Sequence, residues 1–87
     1  MKLIILYHEK DENSTPVERF VEECKKHTKE EVNLLSIETK EGAETSTIYG
    51  VMDYPATLVV MDNGQLVKDW QGKMLPIVDE VIGYLNS

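Results

Sequence analysis

The sequence predicts an α/β domain with elements in the order β-α-β-α-β-β-α, a four-stranded mixed sheet with three helices. Three observations predict it. Leu3 to Tyr7 is a short apolar run bounded by charge, the pattern of a strand buried on both faces. Val17, Phe20, Val21 and Cys24 recur at i, i+3, i+4 and i+7, the stripe of an amphipathic helix. Further on, Asn63-Gly64 separates two strand-like runs, a strong short-range hairpin signal.

After the first strand, Leu3 to Tyr7, a polar loop runs from His8 to Ser14. Thr15-Pro16-Val17-Glu18 has the form of a capping box. Thr15 is the expected N-cap, Pro16 takes the first helical position and Glu18 reaches back. That helix ends near His27. Val32 to Ile37 reads as the second strand, parallel to the first because a right-handed helical crossover joins them. A weaker, more polar helix spans Glu41 to Ile48 and closes at Gly50. Thr57 to Met61 is the third strand. Pro55 stands at its mouth, where a residue without an N–H falls outside the ladder. Asn63-Gly64 then turns the chain as a two-residue hairpin loop into Leu66 to Trp70. Alternation along that strand groups Leu66, Lys68 and Trp70 on one side. Gly72 ends it. Pro76 starts the last helix, with Val78, Val81, Ile82 and Leu85 on its inner stripe.

Eighty-seven residues fit one small domain, residues 1–87, with one core. A hydrophobic fraction of 41% beside 29% charged residues places the chain among folded proteins, not disordered ones. Nine basic and sixteen acidic residues give a net charge of −7, which argues against nucleic-acid binding, since phosphate recognition needs clustered Lys and Arg. The single cysteine, Cys24, has no internal partner for a disulfide. The opening apolar run is too short for a signal-peptide core, and nothing reaches transmembrane length. The expectation is a cytoplasmic monomer that does not engage membranes.

The segment Tyr49-Gly50-Val51-Met52-Asp53-Tyr54-Pro55, followed by Thr57-Leu58-Val59-Val60, then Asn63-Gly64 and a later Gly72, resembles the thioredoxin superfamily. The resemblance covers essentially the whole chain, which is similar to a thioredoxin stripped of its first strand and helix, a minimal glutaredoxin-sized core. Ala56 separates the proline from the threonine, one residue more than usual. The resemblance implies a sheet of order 2-1-3-4. It also implies a cis Pro55 beside the start of the first helix, and at Tyr54 backbone groups free to pair with an extended peptide.

The family's chemistry sits at the N-terminus of that helix, as Cys-x-x-Cys. Aligned on Pro16, Ser14-Thr15-Pro16-Val17 occupies that place, and neither cysteine is present. Cys24 lies ten positions beyond Ser14, about 15 Å away along a helix at ~1.5 Å per residue. It falls on the inner stripe, where a free cysteine acts as a small hydrophobe. A serine hydroxyl in the same place stays protonated without a general base, and His8 is the only nearby candidate. Capping is the ordinary role for Ser14 and Thr15. Ser14 donating to a bound ligand, as serine does in some glutathione transferases of this superfamily, is the intermediate role.

Other groups weigh less. His8 and His27 lie at opposite ends of the first helix, so no shared metal site is expected. His8 with Glu9, Asp11 and Glu12 forms an acidic loop beside the groove, suited to a basic peptide or simply to solvent. Trp70 is expected to pack under the last helix or cover an edge. The Gly-Gly pair that glutaredoxins use for glutathione is missing from Gly72-Lys73-Met74-Leu75. The reading is therefore a redox-inactive thioredoxin-fold module with no cofactor, no metal and no catalytic residues. It would bind an unidentified protein or peptide through Ser14, Thr15, Pro16, Tyr54, Pro55 and His8. The alternative is a monothiol or glutathione-utilising enzyme, and a third possibility is an assembly subunit using the hairpin's edge strand.

Overall fold

The computed structural model describes residues 1–10 and 14–87. Strand β1 (Lys2–Tyr7) leads to helix α1 (Ser14–His27), β2 (Glu31–Ser36) and α2 (Lys40–Ile48). Strands β3 (Ala56–Val60) and β4 (Leu66–Gln71) and helix α3 (Val78–Leu85) complete the order β-α-β-α-β-β-α. The four strands form one sheet of order β2-β1-β3-β4. β1 runs parallel to β2 and antiparallel to β3, and β3 runs antiparallel to β4.

The sheet divides the core because side chains alternate along each strand. Leu3, Ile5 and Tyr7 of β1 and Val59 of β3 face α1 and α3, where they meet Val17, Phe20, Val21, Cys24, Val81 and Leu85. Ile4 and Leu6 of β1 and Ala56, Leu58 and Val60 of β3 face the other way, against Val51 and the half-buried Leu35, Ile37 and Tyr49. β1 is buried on both faces, which is why it reads as an unbroken apolar run. Each fully buried Leu, Ile or Val contributes about 1.5–3 kcal/mol.

Several sequence expectations give way at element ends. The first helix already includes Ser14, so Thr15 is its second residue rather than its N-cap, and the expected loop stops short of Ser14. Position 13, where a cap would stand, lies outside the described residues, as do Asp11 and Glu12 of the acidic loop. The last helix begins at Val78 rather than Pro76, because Ile77 keeps an extended backbone (φ −72°, ψ 134°) as its N-cap. The hairpin loop has three residues, not two. Gly64 N–H donates to Met61 O and Met61 N–H to Gln65 O, both at 2.8 Å. A two-residue type I′ turn needs positive φ at both central residues. Here only Gly64 is positive, at 90°, and Asn63 Oδ1 instead accepts from Gln65 N–H at 3.0 Å.

The strand that follows carries a bulge. Val60 pairs with Leu66 while Val59 pairs with Lys68, so Val67 is the extra residue. One extra residue flips the facing of everything beyond it. Leu66 packs on the α2 side, whereas Trp70 packs on the α1/α3 side, correcting the simple alternation that grouped them. Trp70 lies edge-to-face with Tyr84 of α3, centroids 5.6 Å apart.

Candidate functional site

The loop between α2 and β3 and the C-terminal ends of β1 and β2 build the site. Helix α2 opens with Thr39 as N-cap, its Oγ1 accepting from Gly42 N–H at 3.0 Å. It closes on Gly50, whose φ of 62° is the left-handed conformation that glycine adopts at low cost. Val51 N–H donates to Ser46 O at 2.9 Å and Gly50 N–H to Thr47 O at 3.2 Å, the paired bonds of a Schellman motif. That turn buries Val51 and starts the chain toward Pro55.

The approach to Pro55 is held by one side chain of β4. Gln71 Oε1 accepts from Met52 N–H at 2.9 Å and Asp53 N–H at 3.2 Å, and its Nε2 donates to Asp69 Oδ2 at 2.8 Å. Gly72 N–H donates to Pro55 O at 3.1 Å. The Tyr54–Pro55 bond is cis. Pro55 itself is buried and Tyr54 half-buried. The backbone of Tyr54 is not left free as expected: its N–H donates to Asp53 Oδ1 at 3.1 Å. Asp53 is exposed, so an incoming acceptor has to displace a solvated carboxylate.

The Tyr54 ring links the site to the next element. Its hydroxyl bonds Ser46 Oγ of α2, and its ring meets His8 edge-on, centroids 5.1 Å apart. His8 Nδ1 lies 3.9 Å from Glu38 Oε1, an ion pair when the imidazole is protonated. Glu38 Oε2 accepts from Ser36 Oγ at 2.7 Å and Glu9 N–H at 3.4 Å. The Ser36 hydroxyl first, then the backbone N–H groups of Glu38, Glu9 and Lys10, hold the Glu38 carboxyl below the ordinary carboxylate range. Burial pushes the Tyr7 phenol up, reinforced by Glu9, Glu18 and Glu38, so Tyr7 stays neutral at physiological pH.

Of the residues singled out in the sequence, His8 and Tyr54 are brought into contact and Pro55 adjoins them. Ser14, half-buried, and Thr15 and Pro16, both exposed, form the first turn of α1. Cys24 lies in the third turn of α1, fully buried, and burial pushes its thiol up to about 11. A thiol of that kind supplies almost no thiolate at neutral pH. Gln71, Asp53, Glu38 and Ser36 were not legible as site residues. Gln71 reaches the loop only through the pairing downstream of the bulge, and the Ser36–Glu38 contact depends on the turn between β2 and α2. Among the described residues no group of three or more His, Cys, Asp and Glu is placed to hold a metal ion, and no helix is long and apolar enough to cross a membrane.

No protein-family model matches the chain, and no curated protein matches it. Solved structures do. Thioredoxin 1 of Thermosipho africanus superposes with a TM-score of 0.74 at 13% identity, covering 99% of this chain and 91% of that one. The oxidised thioredoxin of Plasmodium falciparum gives 0.77 at 20% identity, covering 99% and 81%. The reduced Schistosoma mansoni thioredoxin pre-protein gives 0.75 at 14% identity, covering 98% and 75%. The chain has a thioredoxin-like fold. Within that thioredoxin-like frame Pro55 enters β3 and Ser14 opens α1, and the sequence contains a single cysteine. The likeness is one of fold, and fold does not carry chemistry with it.

Proposed function

We propose that this thioredoxin-like chain is a redox-inactive binding module that holds an extended peptide or protein segment at the Tyr54–Pro55 end of the sheet. One observation carries the reading. Met52 and Met74 are 87% and 91% exposed on the two chain segments that meet where Gly72 N–H bonds Pro55 O, while the only thiol is buried in α1. Methionine is flexible and polarizable, and it serves surfaces that accept varied apolar partners. Tyr54 adds an aromatic wall, fixed by Ser46 and His8, and we take the first turn of α1, with Ser14, Thr15 and Pro16, as the far side of the binding surface. Binding then works by displacing Asp53 from Tyr54 N–H and pairing the segment's backbone with Tyr54 in the manner of an added strand.

The test is an amide chemical-shift titration with a permanently reduced, unfolded polypeptide as probe. Shifts are expected to cluster at the amides of Met52, Asp53, Tyr54 and Ala56, of Gly72 to Met74, and of Ser14, Thr15 and Val17. Absence of shifts there at millimolar probe would refute the reading. Glutathione is the control arm: movement of Ser14 and Tyr54 amides with it would favour a glutathione-utilising protein instead.

A further inference from the structure

We propose that Asp53 is a charge-selective latch on the Tyr54 pairing position, so that the segment this chain holds carries a lysine or arginine beside the residue paired with Tyr54. The inference rests on the binding reading above and names the chemistry of the partner. Asp53 Oδ1 accepts from Tyr54 N–H at 3.1 Å, so the donor that an added strand has to use is already taken. The backbone of Asp53 is held in place, because Gln71 Oε1 accepts from Asp53 N–H at 3.2 Å and from Met52 N–H at 2.9 Å. Only the side chain is left to move. Its other oxygen, Oδ2, lies 3.4 Å from where a side chain on Gly72 would begin. The carboxylate therefore spans the seam between residues 52–54 and Gly72, whose N–H bonds Pro55 O.

What replaces the latch decides which segments bind. A carboxylate is a stronger acceptor than a carbonyl, so a segment offering only its carbonyl exchanges a charge-assisted bond for a neutral one. The neighbour of the residue paired with Tyr54 stands opposite Asp53. An ammonium or guanidinium there gives the released carboxylate a new partner, whereas Asp or Glu there adds repulsion of like charges. The chain's own groups do not satisfy Asp53 first. Among the described residues no Lys or Arg pairs with it, and Lys73, next after Gly72 and exposed, makes no ion pair. Asp69, the carboxylate of β4, already accepts from Gln71 Nε2 at 2.8 Å. Glu38, on the ring side of Tyr54, faces His8. The surroundings of Asp53 also suit the rest of a basic side chain. Met52 precedes it and Met74 lies two residues beyond Gly72, both exposed. Lysine and arginine lay an apolar stem on such a surface while the charged head reaches a carboxylate.

The experiment is a chemical-shift titration of the full chain with capped peptides in which threonine and valine alternate around a central lysine, glutamine or glutamate. The lysine peptide is expected to bind about three- to five-fold tighter than the glutamine peptide, the upper range for an exposed ion pair, and the glutamate peptide more weakly than either. Asp53→Asn keeps the acceptor's shape without its charge and should bind the lysine and glutamine peptides alike. Asp53→Ala removes the latch and should bind the glutamine peptide tighter than the unmodified chain does. Glu22→Gln, the same loss of charge at an exposed position of α1, should leave the preference intact, and circular dichroism checks that each variant keeps the fold. Equal affinity of the unmodified chain for the lysine and glutamine peptides overturns the proposal while the binding reading stands. So does a preference that survives Asp53→Asn or vanishes with Glu22→Gln, or an Asp53→Ala chain that gains nothing for the glutamine peptide. If none of the peptides moves the amides around Tyr54, the binding reading fails and the proposal falls with it.

Discussion

At Cys24 a single atom decides between two chemistries. Its facing was legible in advance, since the Val17-Phe20-Val21-Cys24 stripe points inward, and the residue is 0% exposed. Disulfide reagents at neutral pH should therefore label it no faster than the chain unfolds; rapid stoichiometric labelling of the native protein would contradict that. The pH dependence has a definite sign. Folding raises the thiol from its ordinary value of 9.0 to about 11, so the unfolded chain loses this proton first. The contribution is intact below pH 9 and is lost as pH rises from 9 toward 11. Urea midpoints should fall across that window, and Cys24→Ala should flatten the fall. Thr57 was not legible in the same way. Its position in β3 follows from the pattern, but only the packed structure reveals that its Oγ1 is buried without a hydrogen-bond partner among the described residues. An unsatisfied buried hydroxyl costs about 1–3 kcal/mol. Thr57→Val, nearly the same shape, should raise stability by about 1 kcal/mol in chemical denaturation; a loss of that size would show that the hydroxyl has a partner.

Elements were legible in their interiors and less so at their ends. Interiors follow the spacing of apolar side chains, which a sequence displays directly. Ends follow capping geometry and turn conformation, which depend on atoms brought in from elsewhere. Pro76 suits a helix start, yet Ile77 stays extended and α3 waits for Val78. Asn63-Gly64 signals a hairpin, but the three-residue loop and the Val67 bulge together decide which face Trp70 takes. Gly42 is the sharpest case. It reads as a weak helix former, and no periodicity singles it out. A Cβ there would overlap the Ser36 carbonyl oxygen and sit 2.7 Å from its carbon, so α2 can leave β2 this tightly only with glycine at that point. Gly42→Ala should cost about 1–3 kcal/mol, the range for forcing atoms into filled space, despite alanine's higher helix propensity. Thermal melting within a degree of the parent would contradict this packing.

For the whole molecule, element order gave the fold class, and the resemblance to the thioredoxin superfamily supplied the strand order. A helical crossover fixes β1 and β2 as parallel and a hairpin fixes β3 and β4 as antiparallel; which of β1 and β2 lies beside β3 does not follow from connectivity, and the structure places β1 there, in the order β2-β1-β3-β4. The candidate site was legible only in part, because it assembles residues far apart in the chain: Tyr54 with His8, Gln71 with Met52 and Asp53, Gly72 with Pro55. Under the proposed function, the net charge of −7 would favour neutral or basic segments, an effect that weakens as salt screens it. The central claim is that this scaffold binds without exchanging disulfides. Insulin reduction with dithiothreitol as electron source tests it most directly. Turbidity should develop no faster with the protein than without it, whereas precipitation accelerated in proportion to added protein would contradict the account.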